Sequence, residues 1–250
     1  MKRIDSFKRR LAEKKAIKVI AGIDNYDIDK VSKVVTAAQA GGADAVDIAA
    51  SEELLKKARE LTTLPIFVSS ISPAELANAA AMGADAIEIG NFDALYKKGM
   101  RMSANEILDI VVQTLSLINR DEVFVCVTVP GHISVAEQID LARKLEELNI
   151  DLIQTEGAAI ANVSNAGARG LLETAQVSIA NTIELARNVE IPIMTASGIT
   201  STTSAMAFAA GASAIGVGSC INKLNSPVEM IAAVKALVET TNRSAVSELV

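Results

Sequence analysis

Short apolar runs and longer amphipathic stretches alternate along this chain. Ile17 to Ile23, Ala45 to Ala49, Pro65 to Ser70, Ala86 to Gly90, Glu122 to Val129, Asp151 to Thr155, Pro192 to Ala196 and Ala214 to Val217 are rich in Val, Ile and Ala. They predict eight strands. Between them lie helical patterns: about Asp29 to Ala40, Ser51 to Leu61, a helix opening at Ser72-Pro73, Ser103 to Ile118, Ser134 to Leu148, a helix after Gly170 to about Asn188, one closing at Ala210, and Pro227 to Thr240. Local punctuation agrees: Ser51 suits an N-cap, Pro73 a first helical position and Gly41-Gly42 a helix end. Strands that are apolar on both faces and alternate with helices imply a parallel sheet. A count of eight, in a chain of 250 residues, favours closure into one (β/α)8 barrel domain spanning residues 1–250. Ahead of it, Ile4, Phe7 and Leu11 fall at helical spacing. That stretch reads either as a leading helix capping the barrel's N-terminal end or as a basic helix for a partner or membrane surface.

An internal repeat supports the ring. Gly42-Ala43-Asp44-Ala45-Val46-Asp47-Ile48 recurs as Gly83-Ala84-Asp85-Ala86-Ile87-Glu88-Ile89, with looser copies at Asn149 to Ile153 and Gly211 to Val217. Each copy opens an even-numbered strand, so the unit is two strand–helix modules used four times.

Breaks in the apolar pattern carry the candidate chemistry. Lys18, Asp47, Glu88 and Gln154 sit mid-strand between β-branched neighbours, so alternation turns them into the lumen. A buried charge is costly unless paired, which sets Lys18 against one or both carboxylates. The set reads either as a buried network fixing the barrel's register or as groups whose mutual charge tunes proton transfer. Asp24 and Glu156, at strand C-termini, are the preferred acid/base candidates; His132, the sole histidine, follows the fifth strand in the turn Val129-Pro130-Gly131-His132.

The stretch from Ile191 to Lys223 holds two successive strands ending in Gly/Ser turns, Ser197-Gly198-Ile199 and Gly218-Ser219. Small residues let backbone N–H groups approach an anion, and (β/α)8 barrels frequently hold phosphate on the loops after strands 7 and 8. The expected ligand is a phosphorylated small molecule. The long small-residue loop Gly157 to Gly170 reads as a lid, with Arg169 as the cation it brings to the ligand.

Composition narrows the function. A net charge of −6 argues against a nucleic-acid partner, and no run of about 18 apolar residues marks a membrane span. The two cysteines, Cys126 and Cys220, suggest neither a disulfide framework nor a metal site and fit a reducing compartment. The sequence calls for no cofactor and leaves self-association open.

The segments KVIAGIDN, PIFVSS, EIGNFD, VTVPGHIS, IQTEG and AAGASAIGVGSCINKLN together resemble the cyanobacterial and plastid family named as hypothetical chloroplast reading frame twenty-three. The resemblance covers nearly the whole chain. It implies an aldolase-type barrel in a cyanobacterial cytoplasm or plastid stroma and brings no assigned reaction. The chain's end is also similar to phosphate-binding barrels such as sugar-phosphate epimerases, which implicates Ser197, Gly198, Ile199, Gly218 and Ser219; their catalytic motifs on earlier strands are missing here. The resulting expectation is a metal-free isomerase, epimerase or lyase with Asp24, Asp47, Glu88, Glu156 and Lys18 as candidate catalytic groups. The alternative is a non-catalytic phosphometabolite sensor or regulatory partner.

Overall fold

A computed structural model describes residues 2–96, 98–157 and 165–244. Eight parallel strands, β1 (Ala16–Ile20), β2 (Ala45–Ala49), β3 (Ile66–Ser70), β4 (Ala86–Ile89), β5 (Phe124–Val129), β6 (Leu152–Thr155), β7 (Ile193–Thr195) and β8 (Ala214–Val217), close in sequence order, with β8 pairing back on β1. The helices are α1 (Ile4–Ala12), α2 (Ile28–Gly41), α3 (Glu52–Leu61), α4 (Pro73–Ala81), α5 (Asp93–Tyr96), α6 (Ala104–Leu117), α7 (Val135–Glu147), α8 (Gly167–Ala186), α9 (Ser204–Ala209), α10 (Ser219–Asn222) and α11 (Pro227–Ser244). The expected barrel is therefore present, with a helix preceding β1. The four-residue helices α5 and α10 were not expected, and α8 begins at Gly167, four residues earlier than a helix after Gly170 would. Helix starts follow the caps: Ser51 and Ser72 accept from the third residue on, and Ser103 and Ser134 form full capping boxes with Glu106 and Glu137.

Strand residues facing outward pack against the helices in two large apolar groups, one around β1, β2 and β8 and one around β4 and β5. The lumen is filled differently at its two ends. At the N-terminal end the buried stripe Ile4, Phe7 and Leu11 of α1 meets Ala16, Ala45, Phe67, Phe124 and Leu152. Phe7 sits edge-on to Phe67 and Phe124, centroids 5.2 and 6.1 Å apart. The apolar face of α1 is thus spent on closing the barrel, which settles the choice between cap and docking helix in favour of the cap.

The sequence repeat has a structural counterpart. Asp44, Asp85 and Asp151, each at the entry to an even strand, accept the backbone N–H of Ile17, Ile66 and Val125 at 2.9, 2.9 and 2.8 Å. Each of these aspartates also gives its own N–H to the carbonyl of the same residue. An arginine closes each clasp: Arg10 on Asp44, Arg59 on Asp85 and Arg120 on Asp151. In the fourth copy Ser213 replaces the aspartate and keeps only the N–H contact, to Ile193, while Glu146 takes the N–H groups of Glu190 and Ile191.

Candidate functional site

Above the aromatic plug the lumen turns polar. β1 and β4 bring Lys18 and Glu88 face to face as a fully buried ion pair between Nζ and Oε2. Glu88 Oε1 also accepts from Gln154 Nε2 at 2.8 Å and from the Thr128 hydroxyl at 3.1 Å. Burial works against the charge on Lys18, but Glu88 and then Asp47 outweigh it and hold the amine above its ordinary range. Alternation thus placed all four polar residues inward correctly. Lys18 bonds Glu88 and not Asp47.

Asp47 is held by neutral donors instead. Ser69 Oγ donates to Oδ1 at 2.5 Å and Asn91 Nδ2 donates to Oδ2 at 2.6 Å. Asn91 reaches this position from the loop after β4 with φ of +72°, and its Oδ1 accepts from Gln154 Nε2 at 2.9 Å. The two carboxylates are therefore joined through Gln154 and Asn91. Burial pushes the Asp47 carboxyl up to about 7; Lys18 opposes the rise and Glu88 adds to it. With its nitrogen fixed on the acceptors of Glu88 and Asn91, Gln154 leaves its buried Oε1 without a partner among the described residues.

A second polar cluster lies where β4, β5 and β6 end. Glu156, 2% exposed, accepts from the Tyr96 hydroxyl on Oε2 at 2.7 Å, and His132 Nδ1 lies 3.0 Å from that same hydroxyl. The Tyr96 and His132 rings meet edge to face at 5.1 Å. Gly131 makes the approach possible: a Cβ there would stand 2.4 Å from the Glu156 carbonyl oxygen. Burial and then Arg101 hold His132 below its ordinary pKa. Arg101 itself lies 5.4 Å over the Tyr96 ring.

On the other side of the mouth are the two turns. Ser197 and Gly198 are consecutive left-handed residues, φ +67° and +78°. A Cβ on Gly198 would come within 2.8 Å of the Thr174 carbonyl oxygen in α8, so glycine is needed for both conformation and packing. Gly218 precedes α10 and lies against Ile20 of β1. Among the described residues, no acceptor takes the backbone N–H of Gly198, Ile199, Gly218 or Ser219.

Two expected residues stand elsewhere. Asp24 is on the rim, its exposed carboxylate 3.1 Å from Lys98, and joins neither cluster. Arg169 belongs to the first turn of α8 and faces solvent, with Nε 3.6 Å from Glu173. Residues 158–164 of the expected lid lie outside the described residues. Tyr96 was missed altogether, since nothing in its local pattern marks a residue on α5 as a partner for Glu156.

A closed parallel (β/α)8 barrel with polar clusters at its C-terminal mouth defines a TIM barrel. Over residues 2–247 the chain matches the family described as protein of unknown function DUF561, and it belongs to that family. It is 40% identical over 245 residues, 98% of each chain, to the uncharacterized protein ycf23 of Cyanophora paradoxa. Among solved structures it is similar to (S)-3-O-geranylgeranylglyceryl phosphate synthase from Thermoplasma acidophilum in complex with sn-glycerol-1-phosphate, with a TM-score of 0.61 and 13% identity, covering 97% of this chain and 99% of that one. It is also similar to thiamine phosphate pyrophosphorylase from Pyrococcus furiosus, with a TM-score of 0.58 and 17% identity, covering 93% and 98%. At such identities the likeness is one of fold.

Proposed function

We propose that this barrel binds a phosphorylated small molecule at its C-terminal mouth and acts on it as an isomerase, epimerase or lyase. The phosphate is held by the backbone N–H groups of Gly198, Ile199, Gly218 and Ser219, in the turn that Ser197 opens. Asp47 and Glu156 are the acid/base groups, and Lys18 and Glu88 set the charge beneath them. The observation that carries the reading is the pair of turns with four N–H groups that meet no acceptor among the described residues. Backbone N–H groups left open in successive Gly/Ser turns suit an anion. Asp47, pushed up to about 7, has the proton affinity that suits acid/base work near neutrality. Two fold neighbours support the ligand class by analogy: one is a thiamine phosphate pyrophosphorylase and the other is in complex with sn-glycerol-1-phosphate.

Calorimetry with inorganic phosphate tests the anion site. Gly218→Val is expected to weaken binding by about tenfold or more, roughly the contact of one charge-assisted hydrogen bond, while circular dichroism stays unchanged. Absence of phosphate binding at millimolar concentration overturns the site. Deuterium wash-in from D2O into a panel of phosphorylated aldoses and ketoses then tests the chemistry. Asp47→Asn is expected to slow exchange by about a hundredfold or more, the usual size of a general-base contribution.

One observation favours a second reading, a phosphometabolite sensor: Lys18, Asp47 and Glu88 have no exposed surface. A chain that binds phosphate esters and exchanges no proton on any of them would be that sensor.

A further inference from the structure

Glu156, Tyr96 and His132 lie in the segments that follow three neighbouring strands, Tyr96 on α5 after β4, and form a continuous hydrogen-bonded chain from a buried carboxylate to a half-buried ring. We infer that they act as one proton relay, in which Tyr96 is the positioning residue that passes protons between Glu156 at the barrel mouth and His132 at the rim. Its use in catalysis rests on the acid/base reading above; the relay itself does not.

The carboxylate fixes the direction of the first bond. A carboxylate oxygen only accepts, so the Tyr96 hydroxyl donates to Glu156 Oε2 at 2.7 Å. The remaining lone pairs of that hydroxyl are left for His132 Nδ1 at 3.0 Å, which donates to them in the ring protonated on both nitrogens. When a His132 ring protonated on both nitrogens gives up its Nδ1 proton to Tyr96 Oη, the hydroxyl proton of Tyr96 moves to Glu156 Oε2. Glu156 ends neutral, Tyr96 ends as it began, and the ring, left neutral with its hydrogen on Nε2, regains a proton from solvent. No redox partner enters and every proton is accounted for. The groups facing the ring are consistent with such traffic. Arg101 disfavours its charged form, while the Met102 carbonyl and Glu137 of α7 favour it. A structural hydrogen bond alone would not need a second titratable group beyond the tyrosine.

The test uses the fact that His132 is the only histidine in the chain, so histidine labelled at Cε1 and both nitrogens gives one set of signals. The full chain is titrated without ligand, as wild type, Glu156→Gln, Tyr96→Phe and the double variant. All three changes are nearly isosteric. Glu156→Gln removes a negative charge and is expected to lower the His132 midpoint by about half a pH unit or more at this range. Tyr96→Phe is expected to shift the Nδ1 resonance and to shrink the effect of the Glu156 change in the double variant. An identical midpoint in all four proteins overturns the relay, as does an undiminished Glu156 effect in the Tyr96→Phe background. Because no phosphate is present, these outcomes are independent of whether the anion site exists. Where wash-in on a phosphate ester is detected, Tyr96→Phe is expected to slow it at least tenfold while leaving phosphate affinity within twofold. Equal wash-in rates would overturn the catalytic use and leave the anion site standing.

Discussion

Asp47 has no exposed surface and no cation bonded to it, yet it accepts two hydrogen bonds, from Ser69 and Asn91. Its carboxyl is pushed up to about 7 while the unfolded chain titrates near the ordinary carboxylate value of about 3.9. Between those two values the native state holds a proton that the unfolded state has released, so stability contributed by this group falls as pH rises from about 4 to about 7 and then levels off. At about 1.4 kcal/mol per unit, the loss is on the order of 4 kcal/mol. Asp47→Asn stays neutral throughout. Urea unfolding at pH 4 and pH 7.5 is expected to show the wild type losing ground to the variant by an amount of that order; a constant difference would mean that Asp47 ionises normally. At this scale much was legible from sequence. The period-two pattern put Lys18, Asp47, Glu88 and Gln154 in the lumen, because an inward polar residue interrupts an apolar strand visibly. The partners of Asp47 were not legible: Asn91 reaches it by a left-handed backbone turn that its sequence does not announce.

Among the elements, α1 has the most to lose. Phe7 is fully buried and completes a triad of edge-on rings with Phe67 and Phe124 at the open end of the barrel. Phe7→Ala removes that plug from a site closed by strands that cannot collapse inward, so it is expected to cost about 3–5 kcal/mol. Urea unfolding measures the loss; a cost below about 1 kcal/mol would show that the helix lies loosely on the barrel. The helical spacing of Ile4, Phe7 and Leu11 announced this helix, and the strand runs announced the ring. The clasps were only half legible. Their aspartates stand in the visible repeat, but the arginines precede them by 34, 26 and 31 residues, an uneven spacing that hides the pairing until the chain is folded. The unexpected α5 is similar: four residues are too few to carry a period, yet they deliver Tyr96 to Glu156.

For the whole molecule, the two ends of the barrel differ: aromatic closure and clasps at the N-terminal end, buried titratable clusters and N–H groups that meet no acceptor among the described residues at the mouth. No described helix is long and apolar enough to cross a membrane. The clasps also decide where this ring tolerates being cut. Each ties an odd strand to the even strand that follows, Ile17 to Asp44 across 27 residues in the first case, and none ties an even strand to the next odd one. If the ends are joined by a flexible linker and the chain is reopened at Arg187–Asn188, all three clasps still close short loops. If it is reopened at the exposed Tyr26, Ile17 and Asp44 fall near opposite ends of the new chain. Loop entropy grows as about three-halves of RT times the logarithm of length, so that single relocation costs about 2 kcal/mol with every contact intact. Comparing the two permutants by urea unfolding is expected to show that gap; equal stabilities would mean the clasps form independently of the chain that joins them. The circle of eight therefore behaves as a necklace of fastened pairs, whose seams lie between the pairs.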